Sequence, residues 1–160
     1  LIAIDKLTSS QRGRIAELYV AATLIAASGG RLSPFTPVSD DHGVDLVVLD
    51  KQTGRTAAIQ VKAWLMPAVK RRTVQFDVRK ATFVDYRNTV LLALTLDAAM
   101  MSLDAAWLIP MVDVPRIAVE RPDKYALTPS RSPSSRDRYC PYRHADTQSL
   151  TKAMLGFLSR

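Results

Sequence analysis

Residues 43–62 read Gly43-Val44-Asp45-Leu46-Val47-Val48-Leu49-Asp50-Lys51-Gln52-Thr53-Gly54-Arg55-Thr56-Ala57-Ala58-Ile59-Gln60-Val61-Lys62. Two apolar runs, Val44 to Leu49 and Thr56 to Trp64, flank the turn Lys51-Gln52-Thr53-Gly54, which is the pattern of a β-hairpin. Three polar side chains interrupt it: Asp45 at the mouth of the first strand, Gln60 and Lys62 in the second. Strand side chains alternate, so Gln60 and Lys62 share a face. With Thr53-Gly54 as the two loop residues, Asp45 falls opposite Lys62. A register shifted by two sets it opposite Gln60. Either pairing gathers a carboxylate, an amide and an ammonium at one end of one sheet face.

The elements around the hairpin follow from the same periodicities. Thr8 to Gln11 has the form of a capping box. After it Ile15, Leu18, Tyr19, Ala22, Ile25 and Ala26 recur at helical spacing until Gly29-Gly30. Arg31 to Pro37 is predicted as a short extended segment, because Pro34 and Pro37 disfavour helix. Arg71 to Arg79 alternates through Val74, Phe76 and Val78 as a half-buried strand, followed by a short helix over Lys80 to Tyr86. Thr89 to Leu96 and Ala105 to Met111 are apolar strands, and Val114 to Val119 is a helical turn. Tyr125 to Leu127 is predicted as an edge strand. Pro129 to Arg143, rich in Pro, Ser and Arg, is a long loop. A last helix spans Thr147 to Leu158, with Leu150, Met154, Leu155 and Leu158 on one face. The expected fold is α/β: a single domain over residues 1–160, with a central mixed β-sheet flanked by helices.

The bulk numbers fit that expectation. With 160 residues, 48% hydrophobic and 23% charged, the chain has the size and balance of one globular domain. No apolar run is long enough to span a bilayer. The single cysteine, Cys140, excludes an intrachain disulfide, and a cytoplasmic location is expected. Leu1 in place of Met leaves a trimmed start open. The formal net charge of +7 favours a polyanionic partner, since each phosphate neutralised by Lys or Arg releases counterions.

A structural protein gains little from placing a lysine and a glutamine in a buried strand, because an unpaired buried charge is costly. Phosphodiester chemistry has a use for both. A carboxylate and an amide are hard oxygen ligands for Mg²⁺ or Mn²⁺. A lysine beside them orients the attacking water or offsets charge in the transition state.

A helix bearing a glutamate, then Gly43-Val44-Asp45 opening a strand, then Ile59-Gln60-Val61-Lys62 in its hairpin partner resembles the PD-(D/E)XK nuclease superfamily. The Gln-x-Lys form is similar to Mrr-like restriction endonucleases and to Holliday-junction resolvase-like domains. The resemblance covers residues 9–64. It implies a restriction-endonuclease-like core and metal-dependent phosphodiester hydrolysis, with DNA as the expected substrate, in restriction or repair. Asp45 would be the metal-binding aspartate, Gln60 would stand where Asp or Glu is commoner, Lys62 would be the catalytic lysine, and Glu17 would be the helix glutamate at the metal. The neutral Gln60 leaves fewer anionic ligands unless Glu17 or Asp41 compensates. The expected partners are therefore DNA and, as an oligomer, a homodimer. The alternatives are a catalytically inactive nucleic-acid-binding or assembly module on the same fold, and an α/β domain whose motif match is chance.

Candidate phosphate contacts are Lys70, Arg71 and Arg72, leaving the hairpin, and Arg136, Arg138 and Arg143, interleaved with Tyr139 and Tyr142. The same interleaving suits a loop packed onto the sheet. Asp45 can instead cap backbone amides, Glu17 can pair with Arg14 or Arg31, and Asp40-Asp41-His42 is ordinary loop chemistry. Trp64 and Trp107 are most simply core or rim residues.

Overall fold

The computed structural model describes residues 6–39, 42–66, 71–99 and 101–160. The capping box forms as written. Thr8 Oγ1 accepts from the Gln11 N–H at 3.1 Å, and Gln11 Oε1 accepts from the Thr8 N–H at 2.9 Å. Helix α1 therefore starts at Ser9 and runs to Ala27, burying Ala16, Val20 and Leu24. Gly29 and Gly30, both at positive φ, turn the chain away.

Strand β1 (Leu32–Phe35) follows, then β2 (Leu46–Asp50) and β3 (Thr56–Met66). β4 (Phe76–Arg79), β5 (Thr89–Asp97) and β6 (Ser102–Pro110) come next. After these stand a short helix α2 (Val114–Ile117), β7 (Val119–Glu120), β8 (Lys124–Leu127), β9 (Arg143–His144) and α3 (Thr147–Leu158). Asp146 caps α3 by accepting from the Ser149 N–H at 2.7 Å.

The main sheet has the order β1-β2-β3-β5-β6-β9. It is mixed: β3 and β5 run parallel and the other pairs antiparallel. Pro34 sits in the edge strand β1, where its missing N–H costs no ladder bond. On one face α1 and α3 cover Leu46, Val48, Ile59, Val61, Leu92 and Leu94. The other face carries Leu91, Ala93, Trp107 and Ile109 under a small sheet of order β4-β8-β7, which contributes Phe76, Val78 and Leu127. Each fully buried Leu, Ile or Phe in these two cores is worth roughly 1.5–3 kcal/mol.

The α/β class and its mixed sheet are as expected from the sequence, and the second sheet is not. The segment expected as an edge strand, β8, is the middle strand of that sheet, because Val119–Glu120 pairs on its far side. Two residues carry no periodicity to reveal it. The helix expected over Lys80 to Tyr86 is one 3-10 turn, Lys80–Thr82. The strand expected from Arg71 starts at Phe76, with Thr73 making only an isolated bridge to Ser130. The strand expected from Ala105 begins earlier, at Ser102, across a bulge between Thr95 and Leu96.

The hairpin register is the second of the two left open, with Leu46 against Ile59 and Leu49 against Thr56. Asp50 sets it. Its fully buried carboxylate takes a two-pronged bond from Arg31 at 2.7 and 2.8 Å. It also accepts from the Gln52 N–H at 3.0 Å and the Thr53 hydroxyl at 2.9 Å. The Arg31 guanidinium, outweighing burial and helped by those two donors, holds the Asp50 carboxyl far below the usual carboxylate range.

Replacing Asp50 with Ala is expected to cost about 3 kcal/mol, the low end for breaking a buried pair, because Arg31 keeps a third of its side chain in water. Urea unfolding at pH 7 checks it. A depressed carboxyl pKa stabilises fully above its unfolded value of about 4 and is lost as pH falls through the folded one. Wild-type stability should therefore fall from about pH 5 downward, and D50A should fall less over that window.

Candidate functional site

The pairing Leu46 to Ile59, continued back one residue, sets Asp45 against Gln60. At Asp45 the ladder becomes irregular. Its N–H donates to the Ile59 carbonyl at 2.8 Å. Its Oδ2 accepts from the Val61 N–H at 2.6 Å, so a side-chain oxygen takes the place of a backbone carbonyl. The carboxylate thus lies at the level of the sheet, beside the backbone that joins Gln60 to Lys62.

β3 divides its side chains between two faces. Ile59 and Val61 face α1 and α3. Gln60 and Lys62 pair with Leu91 and Ala93 of β5 and face the small sheet. Gln60 is buried, and its Oε1 accepts no hydrogen bond. Its amide nitrogen lies tight under Gly43: a Cβ built there would come within 2.6 Å of Nε2, at a backbone φ of +63°. Lys62 is half-buried and makes no ion pair among the described residues, though its charge reaches Asp77 on β4.

Glu17 stands on the other side of the sheet. Its carboxylate pairs with Arg14 at 2.9 Å and is about one-fifth exposed. It lines a cleft of about 190 Å³ together with Thr36, Ser39, Val44 and Asp45. The structure therefore joins Glu17 to Asp45 through a cleft, joins Gln60 to Lys62 on one face, and sets Asp45 at the seam. Among the described residues no group of three or more His, Cys, Asp or Glu side chains gathers. The oxygen donors here are two carboxylates and an amide on separate elements. His42 is exposed, and Asp40, Asp41 and Lys70 lie outside the described residues.

The basic candidates separate by environment. Arg71, Arg72, Arg136 and Arg138 are exposed, and Arg143 is half-buried. Arg131 holds the first two in place through their backbone, its N–H donating to the Arg72 carbonyl at 2.8 Å and its Nη1 to the Arg71 carbonyl at 3.0 Å. Arg138 donates to the Ile117 carbonyl at 3.4 Å, and Arg143 to the Arg131 carbonyl at 3.0 Å. Tyr139 is buried, its hydroxyl accepting from the Thr128 N–H at 3.2 Å, and Tyr142 bonds Asp113 at 3.0 Å. The 136–143 stretch is thus tied to the body of the domain by much of its polar chemistry. Cys140 donates to the Ser135 carbonyl.

Sequence reasoning missed a second cleft, of about 410 Å³, lined by Trp64, Arg71, Gln75, Asp77 and Thr128 among others. Its walls come from three separate segments, and Trp64 alone signalled it, as an aromatic two residues beyond Lys62 on a strand.

The fold as a whole is similar to that of a solved bacterial homing endonuclease, I-Ssp6803I. The two align over 95% of each chain with a TM-score of 0.57 and 16% sequence identity. No protein-family model matches the chain, and no curated protein does. The class defined is an α/β domain with an endonuclease-like fold. Among the described residues no helix is long and apolar enough to cross a membrane.

Gly43 is expected to tolerate no side chain. Gly43→Ala should destabilise the protein by about 1–2 kcal/mol from the left-handed backbone alone, and should displace the Gln60 amide. Thermal melts and the Gln60 side-chain amide resonances report the two effects. An unshifted Gln60 signal in a folded G43A protein would contradict the contact.

Proposed function

We propose that the chain is a metal-dependent nuclease of the PD-(D/E)XK type acting on DNA, with Asp45, Gln60, Lys62 and Glu17 as its site. The observation that supports this most is the Asp45 carboxylate seated on the Val61 N–H, between the two polar residues of β3 and in one cleft with Glu17. The likeness in fold to a homing endonuclease agrees with it. So does the net charge of +7, which suits a polyanion.

A divalent cation would find oxygen donors here. Gln60 Oε1 is a buried acceptor without a donor, and leaving such an atom unsatisfied costs about 1–3 kcal/mol. Asp45, at the seam, would hold Mg²⁺ or Mn²⁺, ions that prefer carboxylate and carbonyl oxygen, with Gln60 on one side of the sheet and Glu17 on the other contributing through water. When bound, the ion would polarise a phosphoryl oxygen. The chain's own part is positional. The Val61 N–H fixes Asp45, Gly43 leaves room for Gln60, and the half-buried Lys62 ammonium orients the water or offsets charge on the phosphate. Arg71 and Arg72 would contact the phosphodiester backbone on either side.

Plasmid and oligonucleotide cleavage in Mg²⁺ or Mn²⁺, with chelator as control, tests the proposal. Asp45→Asn is expected to abolish cleavage, and Lys62→Ala to reduce it by about 100-fold or more. Both should bind DNA as wild type in Ca²⁺, with affinity falling steeply as salt rises. Gln60→Glu should tighten Mg²⁺ binding and keep cleavage, having restored a carboxylate. If wild type and all three variants bind DNA alike and cleave nothing with any divalent metal, the binding-module alternative replaces this one.

A further inference from the structure

Trp64 is the one polar-handled aromatic on the same strand face as Gln60 and Lys62, and its surroundings are built rather than incidental. Trp64 is 41% exposed, whereas Trp107 is completely buried. Register pairs Lys62 with Ala93 and Trp64 with Thr95, so the two side chains point the same way, roughly 6.6 Å apart along β3. The indole is fixed: Nε1–H donates to the Gln75 carbonyl at 2.7 Å. An exposed tryptophan without a task would leave that donor to water. Here it is spent on the backbone entering β4, which holds the ring as one wall of the 410 Å³ cleft.

Apart from Val74, the rest of the lining is polar. Arg71 lines the cleft and brings a cation. Asp77 lines it too, pairing with Lys124 at 2.8 Å and accepting from the Gln75 amide at 2.9 Å. Burial opposes ionisation of Asp77, but Lys124, Gln75 and the charge of Lys62 outweigh it, so its carboxyl titrates below the ordinary range. The cleft and the candidate site therefore share an electrostatic neighbour. One apolar ring face, one guanidinium and a hydrogen-bonding rim are what a nucleotide presents complements to: a π-face, a phosphate and a base edge. The volume lies within the range of small-ligand pockets, about 300–1,000 Å³.

We infer that the cleft between Trp64 and Arg71 receives a nucleobase of the strand whose phosphate faces Lys62, so that the preferred substrate is single-stranded or locally unpaired nucleic acid. The inference rests on the nuclease reading. A base in a paired duplex must first leave its stack to reach the indole, at a cost of a few kcal/mol that a mismatch or a single strand largely avoids.

Because Trp107 is buried, Trp64 reports on the cleft by its own fluorescence. Single-stranded, mismatched and fully paired oligonucleotides of one sequence are titrated in Ca²⁺, following tryptophan emission and, on labelled strands, anisotropy. Wild type should quench with the first two and little with the third. Trp64→Phe should bind similarly with the quench gone. Trp64→Ala should weaken single-strand binding roughly 10- to 100-fold, as stacking energies imply, and in Mg²⁺ should raise KM more than it lowers kcat. Trp107 emission in W64A shows whether the fold is kept. Anisotropy binding with unchanged emission and unchanged W64A affinity overturns the cleft assignment and leaves the nuclease reading standing. No binding by any form to any oligonucleotide overturns both.

Discussion

A buried carboxylate fixes the geometry on which the site depends. Asp50 closes β2 and binds Arg31, the residue just before β1, together with two donors of the turn. The exit of α1, the edge strand, the turn and the start of β3 are thereby tied to one side chain. With Asp50 bonded to the turn, the loop spans Lys51 to Gly54, and Asp50 meets Arg55 through a 2.9 Å backbone bond. A two-residue loop would shift every partner by two residues and bring Asp45 to Lys62. A one-residue slip would turn Gln60 and Lys62 onto the α1 face. Those faces are filled by apolar side chains, so packing and the Asp50 network select the same register.

Within that register β3 carries groups that its own packing does not need. Gln60 is buried with an unpaired carbonyl oxygen, and Lys62 makes no ion pair among the described residues, its charge reaching Asp77 only at longer range. Either position filled with Val or Leu would extend the second core next to Leu91 and Ala93. The backbone is adjusted to suit the polar residues instead. Gly43 takes a left-handed conformation that leaves space over the Gln60 amide, and Asp45 replaces a ladder carbonyl with its side chain. Local departures of this kind concentrate where chemistry is done.

Much of this was legible in the sequence. The capping box, Gly29-Gly30, the hairpin and the apolar runs of β5 and β6 are local patterns, and local patterns specify elements. The parity of Gln60 and Lys62 needed only strand alternation. What was not legible depends on pairing between distant segments. β7 and β9 have two residues each, too few for a period, and without β7 the strand β8 resembles an edge. The Trp64 cleft draws on residues 64, 71–77 and 128, which no window of sequence brings together. Arg138 and Arg143 looked equivalent to Arg71 and Arg72 by composition, yet their guanidinium groups bond backbone carbonyls of the domain.

The two aspartates of β2 and its mouth show how structure and chemistry separate on one hairpin. Both accept a backbone N–H, Asp50 from Gln52 and Asp45 from Val61. Asp50 has no exposed surface and is answered by an arginine and a threonine as well. That is a group whose charge is fully consumed by the fold. Asp45 is half-buried and opens on a cleft whose other carboxylate, Glu17, leans on a partner, Arg14, that is itself half-exposed. Two carboxylates facing one cleft repel each other unless a cation lies between them, and exposed Arg14 is a weak neutraliser because water screens it. Asp45 thus opens on a cleft that a second carboxylate shares, where Asp50 is enclosed by its own donors. Under the proposed reading a divalent ion would reach Asp45 through that cleft, whereas Asp50, enclosed by Arg31, Gln52 and Thr53, has no face open to one.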